Sequence, residues 1–118
     1  MELNEYQERA MSTKMDTCDN FSYMFINIVG EVGEFASKIA KAIRKGQLVI
    51  NGSRLQQTNK TPSLLGNELR KEAGDIFWQF AGLCDSLGWR LEDVATENLE
   101  KLASRKQRGV IDGNGDNR

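Results

Sequence analysis

Apolar side chains recur at three- and four-residue intervals along most of the chain, the spacing of amphipathic helices. The longest such run is Phe21, Met24, Phe25, Ile28, Val29, Val32, Phe35, Ala36, Ile39, Ala40 and Ile43. Asp19 or Asn20 is placed to cap its start, and Arg44, Lys45 and Gly46 suit its end. A second strong helix is expected over about residues 67–87, with Leu69, Ala73, Ile76, Phe77, Phe80, Leu83, Cys84 and Leu87 inward and Gly88 as its stop. A further helix over about 91–106 carries Glu92 and Asp93 in its first turn and turns Leu91, Val94, Ala95, Leu99, Leu102 and Ala103 inward. Leu3, Tyr6 and Ala10 give a weaker pattern over about 3–14. Phe21, Met24 and Phe25 read as core.

Between the two strong helices, residues 47–66 are polar and read as a long loop. Val49-Ile50 beside Asn51-Gly52 is only a weak hairpin signal, and no strand is expected. A structureless connection of this length is often functional. The expected fold is all-α: a single domain over residues 1–108, followed by a Gly-, Asp- and Asn-rich flexible tail over 109–118.

Composition narrows the chemistry. The chain has 118 residues, 39% apolar and 28% charged, with 16 basic against 17 acidic residues. One domain with one core follows. The near-neutral balance argues against a nucleic-acid polymer or a membrane surface as partner. No histidine is present, which excludes a Ser-His-Asp triad, a His general base and His-ligated metal centres. Two cysteines, Cys18 and Cys84, are too few for a thiolate metal site and suit a reducing cytoplasm. They read as small buried hydrophobes, and Trp78 and Trp89 as core or interface residues. No apolar run approaches the length of a membrane span.

One phrase occurs twice. Glu31-Val32-Gly33-Glu34-Phe35 is echoed by Glu72-Ala73-Gly74-Asp75-Ile76. Each places two carboxylates at i and i+3 on one helix, and each pair stands off to the same side of its helix's apolar stripe. Gly33 and Gly74 border the opposite edge, where a glycine costs about 1 kcal/mol against alanine. That repeated cost predicts close helix packing at the level of the acids. If the helices pair, four carboxylates converge. Two like charges about 4 Å apart repel by about 4 kcal/mol at an effective dielectric of 20, so such a cluster calls for protons or a cation. Ligation by oxygen alone selects Mg²⁺ or Mn²⁺, which keep positions for water and substrate phosphates. Asn98, Lys101 and Arg105 lie at i, i+3 and i+7 on the last helix, and Lys38 is in register with its own acid pair. Lys101 and Arg105 can clamp a polyanion, Lys38 can reach a phosphate or neutralise Glu31 or Glu34, and Asn98 both donates and accepts. Arg108, at the start of the tail, is a further candidate phosphate contact.

These residues resemble the signature of the MazG-like, all-α nucleoside triphosphate pyrophosphohydrolases. The likeness runs through Leu3-Asn4-Glu5-Tyr6-Gln7, Gly30 to Glu34, Glu72 to Asp75, Asn98-x-x-Lys101-Leu102 with Arg105, and the ending Arg108 to Asp116. It implies Mg²⁺-dependent hydrolysis of a nucleoside triphosphate to monophosphate and pyrophosphate, with water attacking the α-phosphorus. Glu31, Glu34, Glu72 and Asp75 would hold the metal and serve catalysis. Asn98, Lys101 and Arg105 would contact the nucleotide. A homodimer or homotetramer completing a helical bundle is also implied. The 37 residues between Glu34 and Glu72 form a longer gap than many members show. The competing reading is a non-catalytic metal- and nucleotide-binding regulatory module.

Overall fold

A computed structural model describes all 118 residues. Four helices carry the fold: α1 (Leu3–Met11), α2 (Phe21–Arg44), α3 (Leu65–Ser86) and α4 (Leu91–Gln107). A single 3₁₀ turn, Asp16–Cys18, joins α1 to α2. Asn20 caps α2, its side-chain oxygen accepting from the Tyr23 amide at 2.8 Å. Gly46 follows the end of α2 at φ +71°, a left-handed conformation that glycine adopts without strain. The weak first helix stops at Met11, three residues short of the expected end.

The expected long loop is a correction. Residues Leu48–Asn51 (β1) and Arg54–Gln57 (β2) pair antiparallel, Leu48 opposite Gln57 and Asn51 opposite Arg54. Gly52 opens the two-residue turn at φ +62°, as a type II′ hairpin requires. Thr58 and Thr61 then fasten the return: their hydroxyls donate to the Gly46 and Gln47 carbonyls at 2.7 and 2.5 Å. The fold is therefore mostly helical, as expected, with one small hairpin where no strand was expected. Leu48 and Leu65, at the hairpin's two junctions, bury against Ala42 and Ile39.

Helices α2 and α3 form the main antiparallel pair. Met24 meets Gly82, Asn27 meets Gln79 and Lys38 meets Glu72, so numbers rising on one helix match numbers falling on the other. A Cβ at Gly82 would overlap the Met24 Sδ and Cε, which marks the closest approach. Gly33 and Gly74 have open space instead, so the close packing expected of them belongs to Gly82. The principal core joins Ala10, Met11, Met24, Ala81, Cys84 and Leu91.

Helix α1 works as a polar strut. Gln7 is buried; its amide oxygen accepts from the Leu91 amide at 3.0 Å and its nitrogen donates to the Trp89 carbonyl at 2.9 Å. The Asn4 side chain likewise accepts from the Glu92 amide at 3.1 Å. These two satisfy N–H groups at the start of α4, which has no cap of its own. Lys14 closes the other end, 2.8 Å from both Asp19 and Asp85. Those two bonds raise the Lys14 pKa above its ordinary value. The stabilisation is therefore full below the unfolded pKa and is lost as pH rises through the folded value. Replacing Lys14 with Met is expected to cost about 0.5–1 kcal/mol at neutral pH, since both carboxylates are well exposed. Thermal melts from pH 7 to 11 check this: the difference from wild type should shrink at the alkaline end.

Little of the chain is buried: 14 of 118 residues. Met24 is 1% exposed, but Phe21 and Phe25 are exposed rather than core. With Ile26 (69% exposed), Val29 (67%) and Val32 they leave α2 with an apolar outer face. No helix is long and apolar enough to cross a membrane.

Candidate metal centre

Glu31 stands on α2, one turn inward from the Asn27–Gln79 link, and Glu72 and Asp75 stand on the facing stretch of α3. One carboxylate oxygen from each of Glu31, Glu72 and Asp75 lies within 4.8 Å of the others. The acidic phrases thus meet across the helix pair. Glu34 lies outside this trio, on an exposed position of α2, although its charge acts on Glu31. The structure brings three of the four acids together.

The three differ in setting. Glu72 is only 9% exposed, Glu31 is half-buried and Asp75 is open to water. Asn27 donates to Glu31 Oε1 at 3.2 Å and to Gln79 Oε1 at 2.9 Å, so a half-buried amide, itself held by the buried Gln79, fixes the Glu31 carboxylate. Sequence reasoning missed Asn27 and Gln79; the four-residue step from Asn27 to Glu31 was the available signal. Lys38 Nζ binds Glu72 Oε1 at 2.8 Å, so it neutralises Glu72 rather than its own helix's acids. That bond also raises the Lys38 pKa. Burial first, then the charges of Glu34 and Asp75, raise the Glu31 carboxyl above its ordinary value. Burial and the nearby Asp75 charge raise the Tyr6 phenol likewise.

Two buried oxygens, Glu31 Oε2 and Glu72 Oε2, have no hydrogen-bond partner. Buried carboxylate oxygens left unpaired are costly, and converging charges add to that cost. A hard divalent cation answers both, and a trio of oxygens with one open flank matches the ligand chemistry of Mg²⁺ or Mn²⁺.

The cations of α4 lie elsewhere. Lys101 Nζ is 3.4 Å and Arg105 Nη2 3.2 Å from Asp116 Oδ1, and Arg105 Nη2 also donates to the Asp116 carbonyl at 3.0 Å. Arg105 is 5% exposed, covered by the tail it holds. These two cations, Arg105 first, hold the Asp116 carboxyl below its ordinary value. Arg108 donates to the Ser104 hydroxyl and to the Arg118 carbonyl at 2.7 Å, while Asn98 is exposed and makes no side-chain hydrogen bond. Residues 110–118 contain only turns, and Arg118 ties them down by donating to the carbonyls of Val110 and Ile111. Cys84 is buried and its thiol pKa raised by that burial; Cys18 is half-buried, and both are free thiols.

The Gene 37 protein of Mycobacterium phage L5 is 38% identical over 125 residues, covering 100% of each chain. No solved structure matches. The model of the MazG nucleotide pyrophosphohydrolase domain matches residues 20–110, a span containing all four acids and the α4 cations. The chain belongs to the MazG nucleotide pyrophosphohydrolase family.

Proposed function

We propose that this protein hydrolyses a nucleoside or deoxynucleoside triphosphate to the monophosphate and pyrophosphate, with Mg²⁺ or Mn²⁺ held by Glu31, Glu72 and Asp75 and completed by Glu34. The observation that carries this reading is the oxygen trio within 4.8 Å, two of whose residues keep a buried, unpartnered oxygen. A divalent cation there supplies electrostatic stabilisation of the phosphates and acidifies water.

The chain's own groups do the rest. Asn27 and Gln79 hold Glu31 in place, and the open flank at Asp75 admits substrate and water. Water attacks the α-phosphorus, its proton passes to a carboxylate of the cluster, and the bond to the α–β bridging oxygen breaks. Lys38 lies beside the departing charge through its contact with Glu72. Asn98, Lys101, Arg105 and Arg108 contact the nucleotide from α4. Residues 1–108 constitute the catalytic domain and 109–118 a tail docked on α4. The free cysteines and a nucleotide substrate suit a cytoplasmic setting.

The working unit is a homodimer or homotetramer. A compact monomer of 13.3 kDa exposes about 6,500 Å². This protomer exposes 8685 Å² and has a radius of gyration of 17.9 Å, against about 13–14 Å for its length. The excess, about 2,000 Å², is of the size a protomer contributes to an obligate interface. The exposed face of α2 supplies the apolar part of it.

Incubation with each triphosphate and Mg²⁺, followed by product separation, tests the activity. Monophosphate and pyrophosphate in equal amounts are expected. Diphosphate with single phosphate would place cleavage at another bond, and tight nucleotide binding with no product would favour the regulatory module.

A further inference from the structure

Beside the acid cluster, a cavity of about 270 Å³ opens between the C-terminal half of α2 and the start of α3. Its walls include Lys38, Lys41 and Lys45, spaced i, i+3 and i+7 on one face of α2. Gln47 and Pro62 close the far side, and Glu68 contributes the single carboxylate. Lys60 leans on the same corner: a methyl on Gly46 would lie 3.9 Å from its Nζ.

The lysines are not equivalent. Lys38 is committed to Glu72 at 2.8 Å, which makes it the link between cavity and acids. Lys41 and Lys45 have no carboxylate within 4.0 Å. Two unpaired ammonium groups in one concave wall, with the first turn of an uncapped α3 facing them, favour a multiply charged anion. The α4 cations already hold Asp116, whereas these two are free and belong to the same helix as Glu31.

We propose that this cavity is the seat of the pyrophosphate end of the substrate, Lys41 and Lys45 receiving the β- and γ-phosphates and retaining pyrophosphate after cleavage. The assignment rests on the proposed pyrophosphohydrolase reading. Lys38 then spans both halves of the site, touching Glu72 on the side of the reacting phosphorus and lining the seat on the other.

Calorimetric titration of the full chain with inorganic pyrophosphate and Mg²⁺ tests the seat. The Lys41→Gln/Lys45→Gln double variant, changed only at exposed positions, is expected to bind pyrophosphate about tenfold or more weakly. Its melting temperature and its affinity for a nucleoside monophosphate should stay at wild-type values. Lys106→Gln, a charge loss on α4, controls for general electrostatics and should change nothing. Unchanged pyrophosphate affinity, equal weakening of monophosphate, or no pyrophosphate binding by the wild type would each overturn the seat. The two readings fail separately. Lysine-dependent pyrophosphate binding without triphosphate hydrolysis defeats the activity and leaves the seat. Acid-dependent hydrolysis with unaltered pyrophosphate affinity in the double variant defeats the seat alone.

Discussion

Asp75→Asn is expected to lower kcat/KM for triphosphate hydrolysis by about 10²-fold or more while leaving the fold intact. Asp75 is the exposed member of the trio, so its amide analogue loses no packing and leaves no buried group unpaired. What it loses is one anionic oxygen from a cluster whose charge defines cation affinity, and ligand-set changes of this kind cost metal binding and turnover together. In the absence of metal the variant should melt at or slightly above the wild-type temperature, because one of several repelling charges has gone. Activity assays across a Mg²⁺ series, with melting curves in chelator, check both halves. Full activity in a folded Asp75→Asn protein would remove Asp75 from the site.

The second large effect concerns α2's outer face. Val29 is 67% exposed in the protomer, flanked by Phe25, Ile26 and Val32, and sits two positions from Glu31. Val29→Asp alters nothing inside the protomer. Buried in an interface between copies, an uncompensated carboxylate costs about 3–5 kcal/mol, or roughly a hundredfold to several thousandfold in association. Sedimentation equilibrium should show the wild type as dimer or tetramer and the variant shifted to monomer, with a lower melting temperature at equal concentration. A monomeric wild type, or an unchanged assembly in Val29→Asp, would remove this face from the interface.

The acidic trio of the candidate site was more legible in the sequence than its surroundings, for physical reasons. Helical period and glycine stops depend on nearby residues, so α2, α3 and α4 could be read directly, and the duplicated acidic phrase revealed which faces would meet. Packing depth could not be read. The stripe Phe21, Phe25, Val29 and Val32 has the spacing of a core face whether it covers this chain or a second copy. Gly33 and Gly74 looked like contact points by symmetry, yet the close approach belongs to Gly82, whose partner Met24 is remote in sequence. The hairpin was hidden because β2, Arg54-Leu55-Gln56-Gln57, is polar and wholly exposed. Its stability comes from Gly52 and from threonine bonds back to Gly46 and Gln47, which no periodicity reveals. Lys101 and Arg105 were legible as a cationic pair, but not their engagement with Asp116, 11 and more residues away across a turn-rich tail.

Titration of the metal-free protein with Mn²⁺, followed by calorimetry, reaches the central claim without needing the substrate. Saturable binding is predicted for the wild type and should be lost or severely weakened in Glu72→Gln, with the helical content of both unchanged. Equal Mn²⁺ affinity in the two proteins, or none in either, would contradict a cation centre built from the acids of α2 and α3.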